Sequence, residues 1–547
     1  MKTIIVGGVA GGAGAAARLR RNDESAQIVL LEKNEHISFA NCGLPYYVGG
    51  VIEEQRDLLL QTPKSFAAQF NVEVRTRHEC LSVNAVEKTI EVKNRNTGQI
   101  YIEEYDKLIL SPGARPVVPA IFEGAENLFT LRNIPDALAI RQYIQERGVR
   151  TCAVIGGGFI GLEMAENLKQ NGLRVNVVEA ADHVIGPLDN DMAYDVHNYL
   201  RAKGIGLYLG ATAAKLEAGK LKLTCGREID ADIVILSVGV RPETSFLEGS
   251  GIVLGKRGEI IVNEYLETSS PDVYALGDAI AVRSVVTGKN KMIPLASPAN
   301  RQARLVADNV CGMARKYSGS QGTAIIKLFD LTVAVTGESE ASLLADGTPY
   351  IKSITYSPSN AGYYPGGQMM SVKLLFSPAN GRLLGAQITG GKGADKRIDV
   401  LASALRAKMT AIDLQDLELA YAPPFSSAKD PVNMAGYVAE NILRGKSQPV
   451  YVEEMDALPG NVALIDVRTP KEFEQGAIPG SVNLPLSQLR DRLAELDRCQ
   501  DIIAICRIGQ RGYNAEQILK QKGFRVRNLA GGYRLYQARQ NDRHASP

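Results

Sequence analysis

One cysteine in the first fifty residues has the surroundings of a reactive thiol. Cys42 lies in the stretch Ser38–Tyr47, which reads SFANCGLPYY, and Gly43 and Pro45 follow it closely. Such a cysteine is typical of the start of a helix or turn, where backbone N–H groups and the helix dipole stabilise a thiolate. The same residues would also suit a small, buried apolar side chain. The rest of the chain decides between the two interpretations.

A glycine-rich loop precedes this cysteine. An apolar strand (TIIV) leads into residues 7–12, which read GGVAGG, and an alanine-rich helix is followed by a strand that ends at Glu32. This order predicts a dinucleotide-binding fold, in which loop N–H groups and a helix N-terminus bind a pyrophosphate and the acid accepts from ribose hydroxyls. Gly7 and Gly12 hold the outer positions of the pattern, whereas Val9 stands at its middle glycine.

The same pattern recurs further along the chain. The strand CAVI precedes residues 156–161, which read GGGFIG, and a later strand ends at Glu179. Because no Arg directly follows Glu179, its carboxylate would repel a 2′-phosphate and accept from a 2′-hydroxyl, which favours NADH over NADPH. Two dinucleotide folds with a cysteine between them predict a flavin that relays electrons from nicotinamide to sulfur.

Two further features fit this arrangement. Residues 108–116 and 234–242 repeat one strand–turn module. This repeat predicts where the chain leaves each nucleotide-binding fold and enters the neighbouring domain. Residues 274–279 (YALGDA) place Asp278 beside Gly277 at a strand end. The Asp278 carboxylate there could bind a flavin ribityl hydroxyl.

The composition of the 547-residue chain limits the classes of partner. Its 62 basic and 60 acidic residues leave a net charge of +2, so no overall field recruits nucleic acid or an anionic membrane. Seven cysteines are scattered without the spacing of zinc sites or of a secreted disulfide framework, which favours a reducing cytoplasm and no metal. No stretch approaches the roughly 18 apolar residues that span a bilayer, so we expect a soluble multidomain protein.

Two motifs are specific enough to indicate a family. They are Ser-Phe-x-x-Cys-Gly-x-Pro-Tyr at residues 38–46 and YAPPFSSAKDP at residues 421–431. The whole chain resembles flavin-dependent pyridine nucleotide–disulfide oxidoreductases, most closely the coenzyme A-disulfide reductase branch with a fused rhodanese domain, also described as NADH-dependent coenzyme A persulfide reductases. In that family the first motif holds a single redox cysteine. Tyr47 stands where glutathione reductases have a second cysteine, so the partner of Cys42 must be an external sulfur, as a mixed disulfide or persulfide.

The pattern changes beyond about residue 321. Alternating strands at 324–329 and 372–376, followed by a helix, resemble the dimerisation domain of the family. The resemblance implies a homodimer in which tyrosine-rich segments of one subunit reach the cysteine of the other. Tyr363 and Tyr421 would then be acids or hydrogen-bond donors near Cys42. For Tyr363, packing at the surface is the alternative.

A basic pair lies near the end of the first predicted helix. Arg18 and Arg21 are three residues apart and project from one face, where such a pair ordinarily complements the helix dipole and meets solvent. The family resemblance instead implies that both bind the phosphates of coenzyme A. It also implies that four polar residues line the path of the pantetheine arm, namely Ser38, Asn41, Asn300 and Lys429.

The last hundred residues carry a second candidate thiol. After a short linker at 441–449, the segments ALIDVR, GAIPGS and IIAICRIGQR resemble a rhodanese. A strand ends at Cys506 and a tight loop and helix follow, which would direct several N–H groups at one sulfur and hold a persulfide anion. The loop is Cys-x4-Arg, ending at Arg511, whereas related phosphatases have Cys-x5-Arg. Sulfur transfer is therefore favoured over phosphate hydrolysis, and the presence of the thiol disfavours a degenerate, regulatory rhodanese.

We therefore predict an α/β protein of four domains. Two Rossmann-like dinucleotide-binding domains would bind FAD (residues 1–149 and 245–320) and NADH (residues 150–244). An α+β dimerisation domain (residues 321–446) and a C-terminal α/β rhodanese domain (residues 452–547) would follow.

The predicted activity is NADH-dependent reduction of coenzyme A persulfide, coenzyme A disulfide and polysulfides through FAD, with coenzyme A as substrate or tightly bound group. One alternative is an NADH oxidase or peroxidase that cycles through a cysteine sulfenic acid. Another is a redox-sensing binding module with a vestigial flavin site. The predicted catalytic residues are Cys42, Cys506, Tyr363, Tyr421 and Arg511. The predicted cofactor-binding residues are Gly7, Gly12, Glu32, Lys33, Ala114, Gly156, Gly158, Gly161, Glu163, Glu179, Gly277 and Asp278.

Overall fold

The structure is a computed structural model that describes residues 1–217 and 219–545. The chain divides into two compact units. The first unit contains residues 1–180 and 211–322, and the second contains residues 181–210 together with the chain from residue 323 onward. We describe each unit by itself.

The helices of the described residues are distributed along the whole chain. They are α1 (Ala10–Asn22), α2 (Leu44–Val48), α3 (Pro63–Phe70), α4 (Ile134–Arg147), α5 (Phe159–Gln170), α6 (Asn190–Ala202), α7 (Ala296–Val310), α8 (Glu340–Asp346), α9 (Ala394–Arg406), α10 (Pro431–Leu443), α11 (Pro470–Glu474), α12 (Gln510–Gln521) and α13 (Gly532–His544).

The strands of the described residues are also distributed along the whole chain. They are β1 (Lys2–Val6), β2 (Gln27–Glu32), β3 (Glu73–Thr76), β4 (His78–Asn84), β5 (Thr89–Asn94), β6 (Ile100–Glu104), β7 (Lys107–Leu110), β8 (Ala114–Pro116), β9 (Leu128–Phe129), β10 (Thr151–Ile155), β11 (Arg174–Glu179), β12 (Gly206–Leu209), β13 (Ala213–Glu217), β14 (Lys220–Leu223), β15 (Glu228–Asp230), β16 (Ile233–Leu236), β17 (Val240–Pro242), β18 (Ile260–Ile261), β19 (Val273–Ala275), β20 (Ile280–Arg283), β21 (Asn290–Met292), β22 (Ala324–Leu328), β23 (Leu331–Gly337), β24 (Ile351–Pro358), β25 (Met369–Phe376), β26 (Leu383–Gly390), β27 (Pro449–Val450), β28 (Val462–Asp466), β29 (Val482–Asn483), β30 (Asp501–Ile505) and β31 (Arg525–Leu529).

A parallel sheet forms the centre of the first dinucleotide fold. Its strand order is β19-β7-β1-β2-β3, and Ile4 of β1 lies opposite Val29 of β2 and Leu108 of β7. These three side chains are fully buried. An unbroken apolar run such as TIIV forms a strand of this kind because both faces of a parallel sheet are covered. The strand–loop–helix–strand order predicted from the sequence is confirmed.

The turn after β1 requires glycine at two points. Gly7 has a φ of +99°, and a Cβ there would lie 2.0 Å from the carbonyl oxygen of Ser111. A Cβ on Gly12 would lie 1.8 Å from the carbonyl oxygen of Gly7. Only glycine therefore lets the loop turn tightly and lets α1 begin close to the sheet.

The second dinucleotide fold repeats this construction. Strand β10 pairs in parallel with β11 and with β16, and β16 pairs with β9. Gly156 has a φ of +107°, and a Cβ on Gly161 would lie 2.0 Å from the carbonyl oxygen of Gly156. The two loops therefore share one backbone geometry, as their sequences predict.

The second unit contains two different sheets. An antiparallel sheet of order β22-β23-β26-β25-β24 packs against α9 and α10, and its core includes Val372, Leu374 and Phe376. A parallel sheet of order β27-β31-β30-β28-β29 contains the strand that leads to Cys506. The predicted succession of α/β, α+β and α/β folds is confirmed. The helix predicted after Cys506 begins at Gln510.

A buried lysine ties residues 181–210 to the antiparallel sheet within the second unit. Lys373 of β25 is fully buried, and its Nζ lies 2.6 Å from Asp191 Oδ1 and 2.9 Å from Asp189 Oδ2. Its third carboxylate partner is Glu340 of α8. Together with Lys352, which contacts Asp191 and Glu340 at 3.2 and 3.1 Å, the ammonium group compensates the negative charge of these carboxylates in the protein interior.

Among the described residues, no helix combines the length and the apolar composition that crossing a bilayer requires.

Replacing this lysine tests how strongly the cluster holds the second unit together. Lys373→Met should destabilise the protein by about 3–5 kcal/mol, because it leaves Lys352 as the remaining cation beside the carboxylates of Asp189, Asp191 and Glu340. A lower midpoint of thermal unfolding would report this loss. Lys316→Met is the control, since its ion pair with Glu264 is exposed, and it should change the midpoint little. Equal effects of the two substitutions would contradict this account.

Candidate active site

The turn that carries Cys42 is attached to the first glycine loop. Cys42 lies in a 3₁₀ turn, Asn41–Gly43, which leads directly into α2. Upstream, Ser38 adopts a φ of +44°, which is uncommon for a residue other than glycine. Its N–H donates to the carbonyl oxygen of Gly8 at 2.9 Å. The dinucleotide loop therefore determines where the exposed Cys42 thiol lies.

Charged residues from both dinucleotide folds act on this thiol. Desolvation by the surrounding protein raises the pKa of Cys42, and the carboxylates of Glu163 and Asp278 raise it further. The guanidinium of Arg132 acts in the opposite direction. The structure thus differs from the sequence-based expectation of a stabilised thiolate, because helix α2 has only five residues and the nearby carboxylates oppose its dipole.

Glu163 of α5 is itself perturbed. The hydroxyl of Tyr46 donates to Glu163 Oε1 at 3.1 Å. Burial raises the pKa of Glu163 to about 7, and the Tyr46 hydrogen bond only partly offsets this effect. Burial and the neighbouring Glu163 also raise the pKa of Tyr46. A carboxyl group that titrates near neutral pH therefore influences the thiol, and neither its pKa nor its tyrosine partner was predicted.

A cleft beside the first glycine loop has the properties of a dinucleotide site. It has a volume of about 460 Å³, and Gly7, Glu32 and Ala114 are among its lining residues. The buried Glu32 accepts from the N–H groups of Gly8 and Asn34, each at 2.9 Å. The carboxylate therefore stabilises the conformation of the loop and also lines the cleft. The loop geometry and the polar lining fit FAD.

Several charged residues around this cleft form ion pairs. Lys33 contacts Glu243 Oε1 at 2.7 Å, and both residues line the cleft. Arg132, which also lines the cleft, donates to Asp278 Oδ2 at 3.0 Å. Gly277, next to Asp278, donates its N–H to Gln302 Oε1 at 2.8 Å. Arg132 and Glu243 were missed because nothing in their local sequence indicates a cofactor.

The second glycine loop is braced in the same way. Glu179, at the end of β11, accepts from the N–H of Gly157 at 2.6 Å. Gly158 is the residue before the first turn of α5, so the helix N-terminus faces the loop. This arrangement suits the pyrophosphate and adenosine ribose of a second dinucleotide.

The residues expected to contact coenzyme A have individual partners in the first unit. Arg18 Nε donates to the fully buried Asp308 at 2.7 Å, so its charge is already compensated. The guanidinium of Arg21 lies 5.3 Å from the centre of the Phe70 ring. Asn41 Oδ1 lies 3.9 Å from Cys42 Sγ. The side-chain amide of Asn300 donates to a carbonyl oxygen of its own helix, α7.

The two predicted tyrosines lie together in the second unit. The hydroxyls of Tyr363 and Tyr421 are 2.9 Å apart, and the residues are 77% and 47% exposed. The hydrogen bond with Tyr363 raises the pKa of Tyr421, because it stabilises the protonated Tyr421 hydroxyl. Lys429, predicted to contact coenzyme A, is also exposed in the loop that follows Tyr421. The pair forms a polar group that can offer a hydroxyl proton at the surface.

The C-terminal thiol has a different environment. Cys506 is fully buried, and the N–H of Gly509 donates to its Sγ at 3.1 Å. Arg511 donates both Nη atoms to the carboxylate of Glu472, at 2.7 and 2.8 Å. This contact lowers the pKa of Glu472 to about 2. The sequence pattern predicted Arg511 but gave no role to Glu472, which fixes the orientation of that arginine.

Comparison with family profiles identifies three regions of the chain. The profile described as pyridine nucleotide-disulphide oxidoreductase matches residues 1–303. The dimerisation domain of that family matches residues 323–431, and the rhodanese-like domain matches residues 451–539.

Individual relatives agree with these matches. The coenzyme A disulfide reductase of Staphylococcus haemolyticus is 37% identical over 442 residues, which cover 81% of this chain and 100% of the relative. The crystal structure of reduced Bacillus anthracis CoADR-RHD is 48% identical, with a TM-score of 0.96 and 98% of each chain covered. The NAD-dependent persulfide reductase of A. fulgidus is 36% identical, with a TM-score of 0.92, covering 98% of this chain and 100% of that one. The chain therefore belongs to the pyridine nucleotide-disulphide oxidoreductase family, with a dimerisation domain and a rhodanese-like domain following the dinucleotide-binding region.

Proposed function

We propose that the protein is an NADH-dependent FAD enzyme that reduces coenzyme A persulfide, coenzyme A disulfide and polysulfides at Cys42. One observation carries this proposal: the Cys42 thiol is exposed while Glu163 of one dinucleotide fold and Asp278 and Arg132 of the other act on it electrostatically. A thiol in this position can exchange electrons with a cofactor and can also react with the sulfur of an external substrate. The names of the relatives support coenzyme A and persulfide substrates.

The two glycine loops would hold the two dinucleotides. FAD would contact the first loop and its cleft, and NADH would contact the second loop. When bound, FAD would supply the transfer of two electrons from NADH to sulfur. The proposed contacts with FAD are Gly7, Gly12, Glu32, Lys33, Ala114, Gly277 and Asp278. The proposed contacts with NADH are Gly156, Gly158, Gly161, Glu163 and Glu179.

The residues of the chain would carry out the sulfur chemistry. The Cys42 thiolate attacks a substrate R–S–S–R′, forms a mixed disulfide with R–S and releases R′–S⁻, which takes up a proton. Two electrons and one proton then return the mixed disulfide to the Cys42 thiolate and R–SH. For coenzyme A persulfide, the released group is hydrosulfide. The net reaction consumes one NADH and one further proton for each sulfur–sulfur bond.

The tyrosine pair would supply the proton in a homodimer. We propose that Tyr363 and Tyr421 of one subunit act at Cys42 of the other, and the match to a dimerisation domain supports this arrangement. Arg18, Arg21, Ser38, Asn41, Asn300 and Lys429 would bind coenzyme A. Because Asp308 already compensates its charge, Arg18 would bind a phosphate by donating hydrogen bonds to it while it keeps its contact with Asp308.

The C-terminal domain would handle sulfane sulfur. Cys506 would accept or deliver the sulfur as a persulfide, with the Gly509 N–H stabilising the anion and Arg511 held beside the loop by Glu472. The proposed domain limits are residues 1–149 and 245–320 for FAD, 150–244 for NADH, 321–446 for dimerisation and 452–547 for the rhodanese. Seven free, dispersed cysteines support the cytoplasm as the site of action.

A pair of reciprocal variants tests the division of labour between the two thiols. Cys42→Ser should abolish NADH consumption with coenzyme A disulfide, because serine cannot form the mixed disulfide, whereas Cys506→Ser should retain it. Cys506→Ser should instead lose turnover of at least one polysulfide or persulfide substrate.

Parallel assays with peroxide and air distinguish this reaction from that of an NADH oxidase or peroxidase. Peroxide as clearly the best acceptor would contradict the proposed substrate class. If Cys506→Ser left turnover of every polysulfide and persulfide unchanged, its transfer role would be wrong.

The pH dependence of Cys42 alkylation tests its coupling to Glu163. Glu163→Gln should accelerate alkylation by about tenfold above pH 7, because the charged carboxylate that opposes thiolate formation has been removed. Below pH 7 the two proteins should converge, since Glu163 itself is then protonated and neutral. Peptide mass spectrometry would measure labelling of Cys42 separately from the other exposed cysteines.

Glu54→Gln, which removes an exposed carboxylate, provides the control and should leave the profile unchanged. A constant ratio between Glu163→Gln and the unmodified protein across the pH range would rule out the coupling.

A further inference from the structure

A buried arginine connects the loops that carry the two tyrosines. Arg397, on α9, is 1% exposed, and its guanidinium reaches both loops. We propose that Arg397 is a positioning residue that fixes the distance between the hydroxyls of Tyr363 and Tyr421. The proposal rests on the proposed function, in which this pair supplies the proton to the released thiolate.

The hydrogen bonds of one nitrogen atom support this role. Arg397 Nη2 donates to the carbonyl oxygens of Ser359 and Phe425, both at 3.1 Å. Tyr363 lies four residues after Ser359, and Tyr421 lies four residues before Phe425. A single planar group therefore contacts the backbone of both tyrosine-bearing loops. A displacement of this group would change the separation of the two hydroxyls.

The charge of the arginine is compensated within the same cluster. Asp430 Oδ2 accepts from Arg397 Nη2 at 2.9 Å and from the hydroxyl of Ser426 at 2.6 Å. Its other oxygen accepts from the N–H of Val432 at 3.0 Å and so caps α10. The cluster is thus attached to both α9 and α10. These two helices hold the loops that carry the exposed side chains of Tyr363 and Tyr421.

The geometry requires an arginine and not merely a positive charge. The guanidinium is planar and presents several N–H donors in fixed directions, whereas a lysine presents one compact ammonium group. Lysine at position 397 could retain the ion pair with Asp430. Its single nitrogen could not contact the carbonyl oxygens of Ser359 and Phe425 and also replace the hydrogen bonds that Arg397 Nε makes to Asp430 at 3.2 Å and Nη1 makes to the carbonyl oxygen of Gly393 at 3.1 Å. Arg397→Lys therefore keeps the charge compensation of Asp430 and removes the positioning of the two loops.

A double-mutant cycle with Arg397→Lys and Tyr421→Phe tests the proposal. We expect Tyr421→Phe to lower kcat for coenzyme A disulfide by about a hundredfold, as for a lost general acid. Arg397→Lys should lower kcat roughly tenfold, because the tyrosines are misplaced, while the KM for NADH stays unchanged. The double variant should fall no further than Tyr421→Phe alone, since both substitutions disable the same proton donor.

Arg539→Lys is the matched control for the loss of a buried arginine. Arg539 is 4% exposed and pairs with Asp456 in the C-terminal domain, so this variant should keep kcat. If Arg397→Lys does not fold, Ser426→Ala is the substitute variant, because it removes one hydrogen-bond partner of the same guanidinium. Ser426→Ala should lower kcat less than tenfold, and it should lower kcat no further when it is combined with Tyr421→Phe.

The possible outcomes separate two failures. Additive losses in the double variant, or an unchanged kcat in Arg397→Lys beside a normal Tyr421→Phe effect, would overturn the positioning role and leave the proposed function intact. An unchanged kcat in Tyr421→Phe would contradict the tyrosine step of the proposed function itself, together with the inference built on it.

Discussion

The hydrogen bond from the Ser38 N–H to the carbonyl oxygen of Gly8 connects the segment that carries Cys42 to the first glycine loop. The loop around Gly8 can turn as it does only because glycine at position 7 has a positive φ and because glycine at position 12 lets the helix approach closely. Any movement of that loop would therefore also move the segment that carries Cys42. The position of the thiol is a consequence of the dinucleotide fold.

The two proposed sulfur sites differ in how protein groups surround the thiol. Cys42 is exposed, and nearby carboxylates oppose its ionisation. Cys506 is buried, and a backbone N–H of Gly509 points at its sulfur. The first environment suits a thiol that must accept bulky external substrates and ionise as the charge around it changes. The second suits a sulfur held as an anion by fixed dipoles.

Local sequence predicted the framework well because the relevant signals are local. Apolar strands, glycine loops and the acids that end β2 and β11 lie within single βαβ units. Glu163, Arg132 and Arg397 act through contacts between distant segments, so their partners could not be read from spacing. The expectation of a stabilised Cys42 thiolate was wrong for the same reason, because Glu163 and Asp278 lie more than a hundred residues away in sequence.

The central claim is that Cys42 forms a mixed disulfide with an external thiol. The most direct measurement is mass spectrometry of the FAD-loaded protein after incubation with coenzyme A disulfide in the absence of NADH. The account predicts one coenzyme A per chain, mapped to Cys42 and released when NADH is added. An unmodified Cys42, in protein that still consumes NADH with coenzyme A disulfide, would contradict it.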